Sequence, residues 1–178
     1  MPNSYLEERE TDLALALRRM VKIATVNPPG LDYLPMVEHL ADRLRSLDMS
    51  PTVHRVPDAT VAAAGVDPSY PRFNVIARWD VGAERTVHFN AHFDVVPVAA
   101  ADWRMPPFDG KVSGGWLYGR GAGDMKGSIV ALLSAIEALQ STGTRPAVNI
   151  EVSFTADEET GGALGAGWIV QQGLVVCQ

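Results

Sequence analysis

Three short clusters hold the residues of this sequence that could do chemistry. The first is His88-Phe89-Asn90-Ala91-His92-Phe93-Asp94. Side chains alternate faces along a strand, so His88, Asn90, His92 and Asp94 share one face while Phe89, Ala91 and Phe93 take the other. Four polar side chains on one face of an otherwise apolar strand are costly unless they are paired or bound to something. A His-x-Asp pair at a strand end suits a metal site. The imidazole binds the ion and the nearby carboxylate fixes the ring's tautomer. A hydrogen-bonded core histidine beside a turn aspartate satisfies the same pattern. His88, deeper in the strand, reads as a core residue or a support for the site rather than a ligand.

The second cluster is Gly119-Arg120-Gly121-Ala122-Gly123-Asp124-Met125-Lys126-Gly127. Its glycines permit tight turns and close approach of the backbone. They do not make a phosphate loop, because the Lys-Ser/Thr ending is missing and no strand leads directly into them. Asp124 stands just before a helix, where it could cap backbone N–H groups or hold a metal. The third cluster is Asp157-Glu158-Glu159-Thr160-Gly161-Gly162. These acidic residues could decorate a helix N-terminus. Alternatively they divide labour, one glutamate binding metal and its neighbour accepting and returning a proton. One histidine and several carboxylates, with no thiolate, suit zinc, with cobalt or manganese as substitutes.

The elements that must position these clusters can be read from periodicity. Helical spacing predicts a helix from Leu6 to Thr25, stopped by Asn27-Pro28-Pro29-Gly30, and a second from Tyr33 to Leu47 with Met36, Val37, Leu40 and Leu44 inward. Strands are expected at Thr52–Val56, Phe73–Trp79, Thr86–Phe93 and Ala147–Thr155, with a loop over Pro57–Pro71. Trp103–Gly123 reads as loop with a small hairpin, Met125–Gln140 as a helix, and Gly162–Gln172 as a last helix. Gly173 to Gln178 reads as a turn and the start of another strand. Strands interleaved with helices indicate a layered α/β domain, in which ligands sit beyond the carboxyl ends of strands. That places interest on the segments just beyond Phe93 and Thr155.

Composition narrows the function classes. The chain has 178 residues, 47% hydrophobic and 20% charged, which is ordinary for a single globular domain. Its formal net charge of −6 has the wrong sign for holding a phosphate backbone. Cys177 is the single cysteine, so an internal disulfide framework and cysteine-built zinc sites are excluded. No apolar run approaches the ~18 residues needed to span a bilayer. The polar, acidic start lacks the features of a secretory signal, so a cytoplasmic location is expected.

Taken together, Ala91-His92-Phe93-Asp94-Val95-Val96-Pro97, Tyr118-Gly119-Arg120-Gly121-Ala122-Gly123-Asp124-Met125-Lys126-Gly127 and Thr155-Ala156-Asp157-Glu158-Glu159 resemble the dinuclear zinc family of aminoacylases, acetylornithine deacetylases, succinyl-diaminopimelate desuccinylases and related carboxypeptidases. The resemblance runs from the first helix to almost the last residue. It implies a layered α/β/α catalytic domain with a mostly parallel mixed sheet. It also implies that His92 binds one zinc, Asp94 orients His92, Asp124 bridges two zincs and is followed by a cis peptide bond, Glu158 is the general base, and Glu159 binds the second zinc. The implied reaction is hydrolysis of the amide bond of an N-acyl amino acid or short peptide, with the deacetylase and desuccinylase branch favoured. Family members carry a further carboxylate ligand, a late histidine ligand and a lid domain that mediates homodimerisation. No Asp or Glu occurs after Glu159. The expectation is therefore that residues 1–178 are the amino-terminal portion of such a catalytic domain. Alone, that portion would be incomplete and inactive, a non-catalytic module or a partner subunit.

Overall fold

A computed structural model describes residues 2–175. The fold is organised around Asn149–Thr155 (β6), a strand buried along its whole length. Its alternation sends Val152 and Phe154 into a large apolar cluster on one face of the sheet and Ser153 and Thr155 to the other face. The neighbours of β6 are Phe73–Trp79 (β2) and Thr86–His92 (β3), and Thr52–Arg55 (β1) lies outside β2, giving the order β1-β2-β6-β3.

The helices Pro2–Glu7 (α1), Glu10–Lys22 (α2), Tyr33–Arg45 (α3) and Gly127–Ser141 (α5) belong to the chain segments that cover one face. There Met20, Met36, Val37, Leu40, Leu44, Ile129, Leu133 and Ile136 pack against Val75, Ala77, Ala91 and Phe93. Asp58–Ala63 (α4) and Ala166–Gln171 (α6) cover the other face, where Val56, Val61, Ile76, Leu164, Trp168 and Ile169 form a smaller cluster. The result is the α/β/α layering expected from the sequence. Lys111–Ser113 (β4) and Trp116–Tyr118 (β5) form a separate hairpin.

Several details differ from the sequence reading. The sheet is mixed, but parallel pairing is in the minority: β3–β6 is parallel, whereas β1–β2 and β2–β6 are antiparallel. Residues 80–85 reverse the chain between β2 and β3, so β6, running with β3, must run against β2. The parallel pair needs a long crossover, and the β4–β5 hairpin and α5 supply it. The first helix is two helices, broken at Glu8 and Arg9, with Glu10 and Asp12 favouring a new N-terminus. The loop expected over 57–71 contains α4, whose Val61 is fully buried. Phe89 shares the face of Ala91 and Phe93 yet is 42% exposed, because the helices cover only the carboxyl end of β3. The last helix starts at Ala166, four residues later than expected. Leu174 and Val175 are not in a strand, and residues 176–178 of the expected final strand lie outside the described residues. Among the described residues, no helix is long and apolar enough to cross a membrane.

Candidate metal centre

The parallel register sets His92 beside Thr155, so β3 and β6 end at the same edge of the sheet. Asp94 lies just past the end of β3, and residues 157–160 turn just past the end of β6. The crossover delivers Asp124 to the same edge immediately before α5. Gly121 has φ 80° there, and a Cβ on it would sit 2.5 Å from Val95 Cγ1, so the approach of this loop to the strand end requires glycine. Asp124 and Met125 depart from helical geometry, and the peptide bond between them is cis. Because the dihedral angles of these two residues are non-helical, α5 begins at Gly127 rather than at Met125.

His92 is 4% exposed. Its Nδ1 lies 3.1 Å from the backbone oxygen of Asp94 and 3.3 Å from Asp94 Oδ1. Its Nε2 faces outward, 3.1 Å from Asp124 Oδ1 and 3.7 Å from Glu158 Oε2. His92, Asp124 and Glu159 each offer one ligand atom, and these atoms all lie within 4.8 Å of one another. Glu158 stands at the rim of this group and Asp94 lies behind the imidazole. Asp124 does not cap α5, whose first turn has no side-chain cap. One imidazole nitrogen and carboxylate oxygens, without thiolate, form a donor set that fits zinc. His88 takes no part: its ring lies 2.9 Å from Glu151 and 2.9 Å from Ser153.

Electrostatics points the same way. Burial opposes a charged imidazole at His92, but Asp94, Asp124 and Glu158 outweigh it and push the group up to about 9. Glu159 is raised by burial and then by Asp94, Asp124 and Glu158, with His92 alone opposing. Burial would also raise Asp94, yet hydrogen bonds from His92, Asn27 and the Glu159 amide hold it below the usual carboxylate range. Four carboxylates around one imidazole leave a surplus of negative charge at the mouth of the site, which a divalent cation would neutralise.

Sequence reasoning missed the residues behind this site. Asn27, read there only as part of a helix stop, is fully buried and donates to Asp94 Oδ2 at 2.9 Å and to Thr160 Oγ1 at 3.0 Å. Arg72, 1% exposed, pairs with Asp157 at 3.3 Å. Lys126 is fully buried, and its amine donates to the carbonyls of Met20 (3.1 Å) and Ile23 (2.7 Å) at the end of α2. Burial lowers that amine to about 7, against the pull of Asp94 and Asp32. The available signal was a cation or amide inside an apolar or turn segment, where an unpaired polar group would be costly.

Solved structures with the same fold include human carnosine dipeptidase 1 (TM-score 0.78, 22% identity, covering 95% of this chain and 36% of that one). They also include the M20 family metallo-carboxypeptidase Sso-CP2 from Sulfolobus solfataricus (TM-score 0.75, 22% identity, 90% of this chain and 34% of that one). The sequence profile of peptidase family M20/M25/M40 matches residues 88–176, half of the chain and the half that holds all three clusters. The chain belongs to that family. Relatives include a succinyl-diaminopimelate desuccinylase of Cereibacter sphaeroides, 43% identical over 107 residues (56% of this chain, 28% of that protein). Aminoacylase-1 of Mus musculus is 32% identical over 163 residues (89% of this chain, 36% of that protein). The chain thus spans about a third or less of the length of these relatives.

Proposed function

We propose that these residues contribute to a zinc-dependent hydrolase that cleaves the amide bond of N-acyl amino acids, deacetylase- or desuccinylase-like, or of short peptides. The observation that carries the reading is the convergence of His92, Asp124 and Glu159 to within 4.8 Å from three separate segments of the chain. In this reading His92 holds one zinc, Glu159 a second, and Asp124 is shared between them; cobalt or manganese could substitute. When bound, zinc supplies positive charge that polarises the carbonyl and favours deprotonation of water. Asp94, buried behind the imidazole, keeps Nδ1 protonated and leaves Nε2 to face outward as the donor. Glu158, exposed and 3.7 Å from that nitrogen, takes a proton from the attacking water and returns it to the departing amine. The desuccinylase and aminoacylase relatives support an acyl amino acid over a longer peptide, and in both the matched region is part of a longer protein.

A catalytic zinc ordinarily has three protein ligands. Two zincs sharing Asp124 would each have two among the described residues, so the 178-residue chain is expected to bind one cation weakly and to hydrolyse nothing by itself. Cobalt titration followed by calorimetry tests this. Loss of binding in His92→Gln supports the reading; a wild-type chain that binds no divalent cation, or a His92→Gln variant that binds as well as wild type, refutes it. For the longer protein, Glu158→Gln is expected to lower turnover of N-succinyl or N-acetyl amino acids by roughly 10²–10⁴-fold.

A further inference from the structure

We infer that Asn27 is a positioning residue of the metal centre, held in place by Arg72 and acting through Asp94 on both His92 and the Glu158–Glu159 turn. The inference rests on the reading of His92, Asp124 and Glu159 as ligands, and it concerns residues that touch no ligand atom.

The Asp94 carboxylate is the hub. Oδ1 lies 3.3 Å from His92 Nδ1 and accepts from the Glu158 amide at 3.2 Å. Oδ2 accepts from the Glu159 amide at 3.2 Å and from Asn27 Nδ2 at 2.9 Å. Three of these four donors belong to residues of the candidate centre; the fourth is Asn27. An aspartate placed so can rotate only if its second oxygen is released, and Asn27 is the one of the four donors that comes from outside the segments that carry the candidate ligands. Asn27 is in turn oriented at both ends. Its second Nδ2 hydrogen reaches Thr160 Oγ1 at 3.0 Å, and its Oδ1 accepts from Arg72 Nη2 at 3.2 Å. That last bond decides which end of the amide faces Asp94, because a guanidinium can only donate. Arg72 itself cannot turn: its other nitrogens donate to the carbonyls of Pro29 and Tyr70 and to Asp157, and its guanidinium lies 5.2 Å over the Tyr33 ring.

The chain of contacts therefore runs Arg72, Asn27, Asp94, and from there to the imidazole and to the backbone that carries both glutamates. A group bonded to a ligand, as Asp94 is to His92, typically changes metal affinity 10–100-fold when removed, and Asn27 acts through that carboxylate.

Asn27→Asp tests the inference, since it keeps the shape and replaces the donor facing Asp94 with an acceptor. Three measurements are made on the 178-residue chain: Co²⁺ affinity by calorimetry, amide hydrogen exchange of Glu158 and Glu159 by NMR, and the urea midpoint. The expected result is at least tenfold weaker Co²⁺ binding together with at least tenfold faster exchange at those two amides. Asn149→Asp is the control for a merely structural effect. It alters another fully buried asparagine, whose Nδ2 donates to the Ala83 carbonyl at 2.8 Å and to Thr86 Oγ1 at 3.3 Å at the opposite end of β6, about 20 Å away. It is expected to lower the urea midpoint without changing Co²⁺ affinity. If Asn27→Asp does not fold, Arg72→Lys keeps the cation beside Asp157 but loses the fork to Asn27, and it should show the same two effects at smaller size. Unchanged affinity and exchange in the folded Asn27 variant, or an equal loss of affinity in the Asn149 control, overturn the inference. A wild-type chain that binds no Co²⁺ defeats the metal reading instead, and the exchange rates still report whether Asn27 holds the turn.

Discussion

Asp94 and Asp157 on one side of the candidate centre and Asp124 and Glu158 on the other are the same chemical groups used in opposite ways. The first two side chains are 0% and 5% exposed, and each accepts bonds from several fixed donors. The second two are 81% and 59% exposed, and among the described residues the facing imidazole is their one fixed neighbour. A carboxylate whose lone pairs are already taken cannot bind a cation, but it can hold what does. A carboxylate with free lone pairs can bind, but it depends on its backbone for its place. The site is thus a rigid buried frame carrying a loosely held acidic rim, and mutations in the two regions should differ in kind.

The sharpest way to break that contrast is Arg72→Leu. It leaves Asp157 as a buried charge without its partner, a change that costs about 3–5 kcal/mol, read as a fall in the urea midpoint. A loss under about 1 kcal/mol would mean the frame is not held by this pair. Asp94→Asn comes next. It replaces a fourfold acceptor by a group with one oxygen, at roughly 1–3 kcal/mol of stability for the donors left unpaired. Because the frame orients the rim, cobalt affinity should fall together with stability.

A third test uses pH in the absence of divalent cations. The folded His92 is raised from 6.5 to about 9, so the folded chain binds the extra proton in that window. Its contribution is fully present below about pH 6.5 and is lost as pH rises toward 9. Lys126, lowered from 10.5 to about 7, acts in the opposite direction above pH 7, where stability gains as pH rises. The His92 effect is therefore read as the difference between wild type and His92→Gln across that range. Saturating Co²⁺ should erase the His92 slope, because the cation takes the place of the proton. The smallest expected effect is Glu158→Gln on the rim, within about 0.5 kcal/mol of wild-type stability by the same urea measurement. A larger loss would place Glu158 in the frame.

The sequence made the rim and the strands easier to read than the frame. Helix α3 shows its inward face directly, since Met36, Val37, Leu40 and Leu44 repeat at helical spacing and all four are fully buried. His92, Asp124 and Glu159 stand in motifs whose residue types suggest ligation, and the structure brings all three together. Asn27 and Arg72 are 45 residues apart and meet only through tertiary packing. Local context can mark each as a polar group in need of a partner but not name the partner, and Asn27 beside two prolines looks like a simple chain stop. Helix α4 escaped because six residues are too few for a periodic pattern to show, and tertiary contact at Val61 fixes it. The direction of pairing in the sheet depended on β6 inserting between β2 and β3, an order that local patterns do not encode.

The side-by-side ends of β3 and β6 make the site intolerant of slippage. Every inward and outward residue of β3 exchanges places if the strand shifts by one position against β6. His92 would then turn toward the helices and Phe93 toward the face that now holds the candidate ligands, while Asp94 would lose the two amides beyond β6 that it now grips. The convergence of His92 with Asp124 and Glu159 therefore depends on this one alignment of β3 with β6.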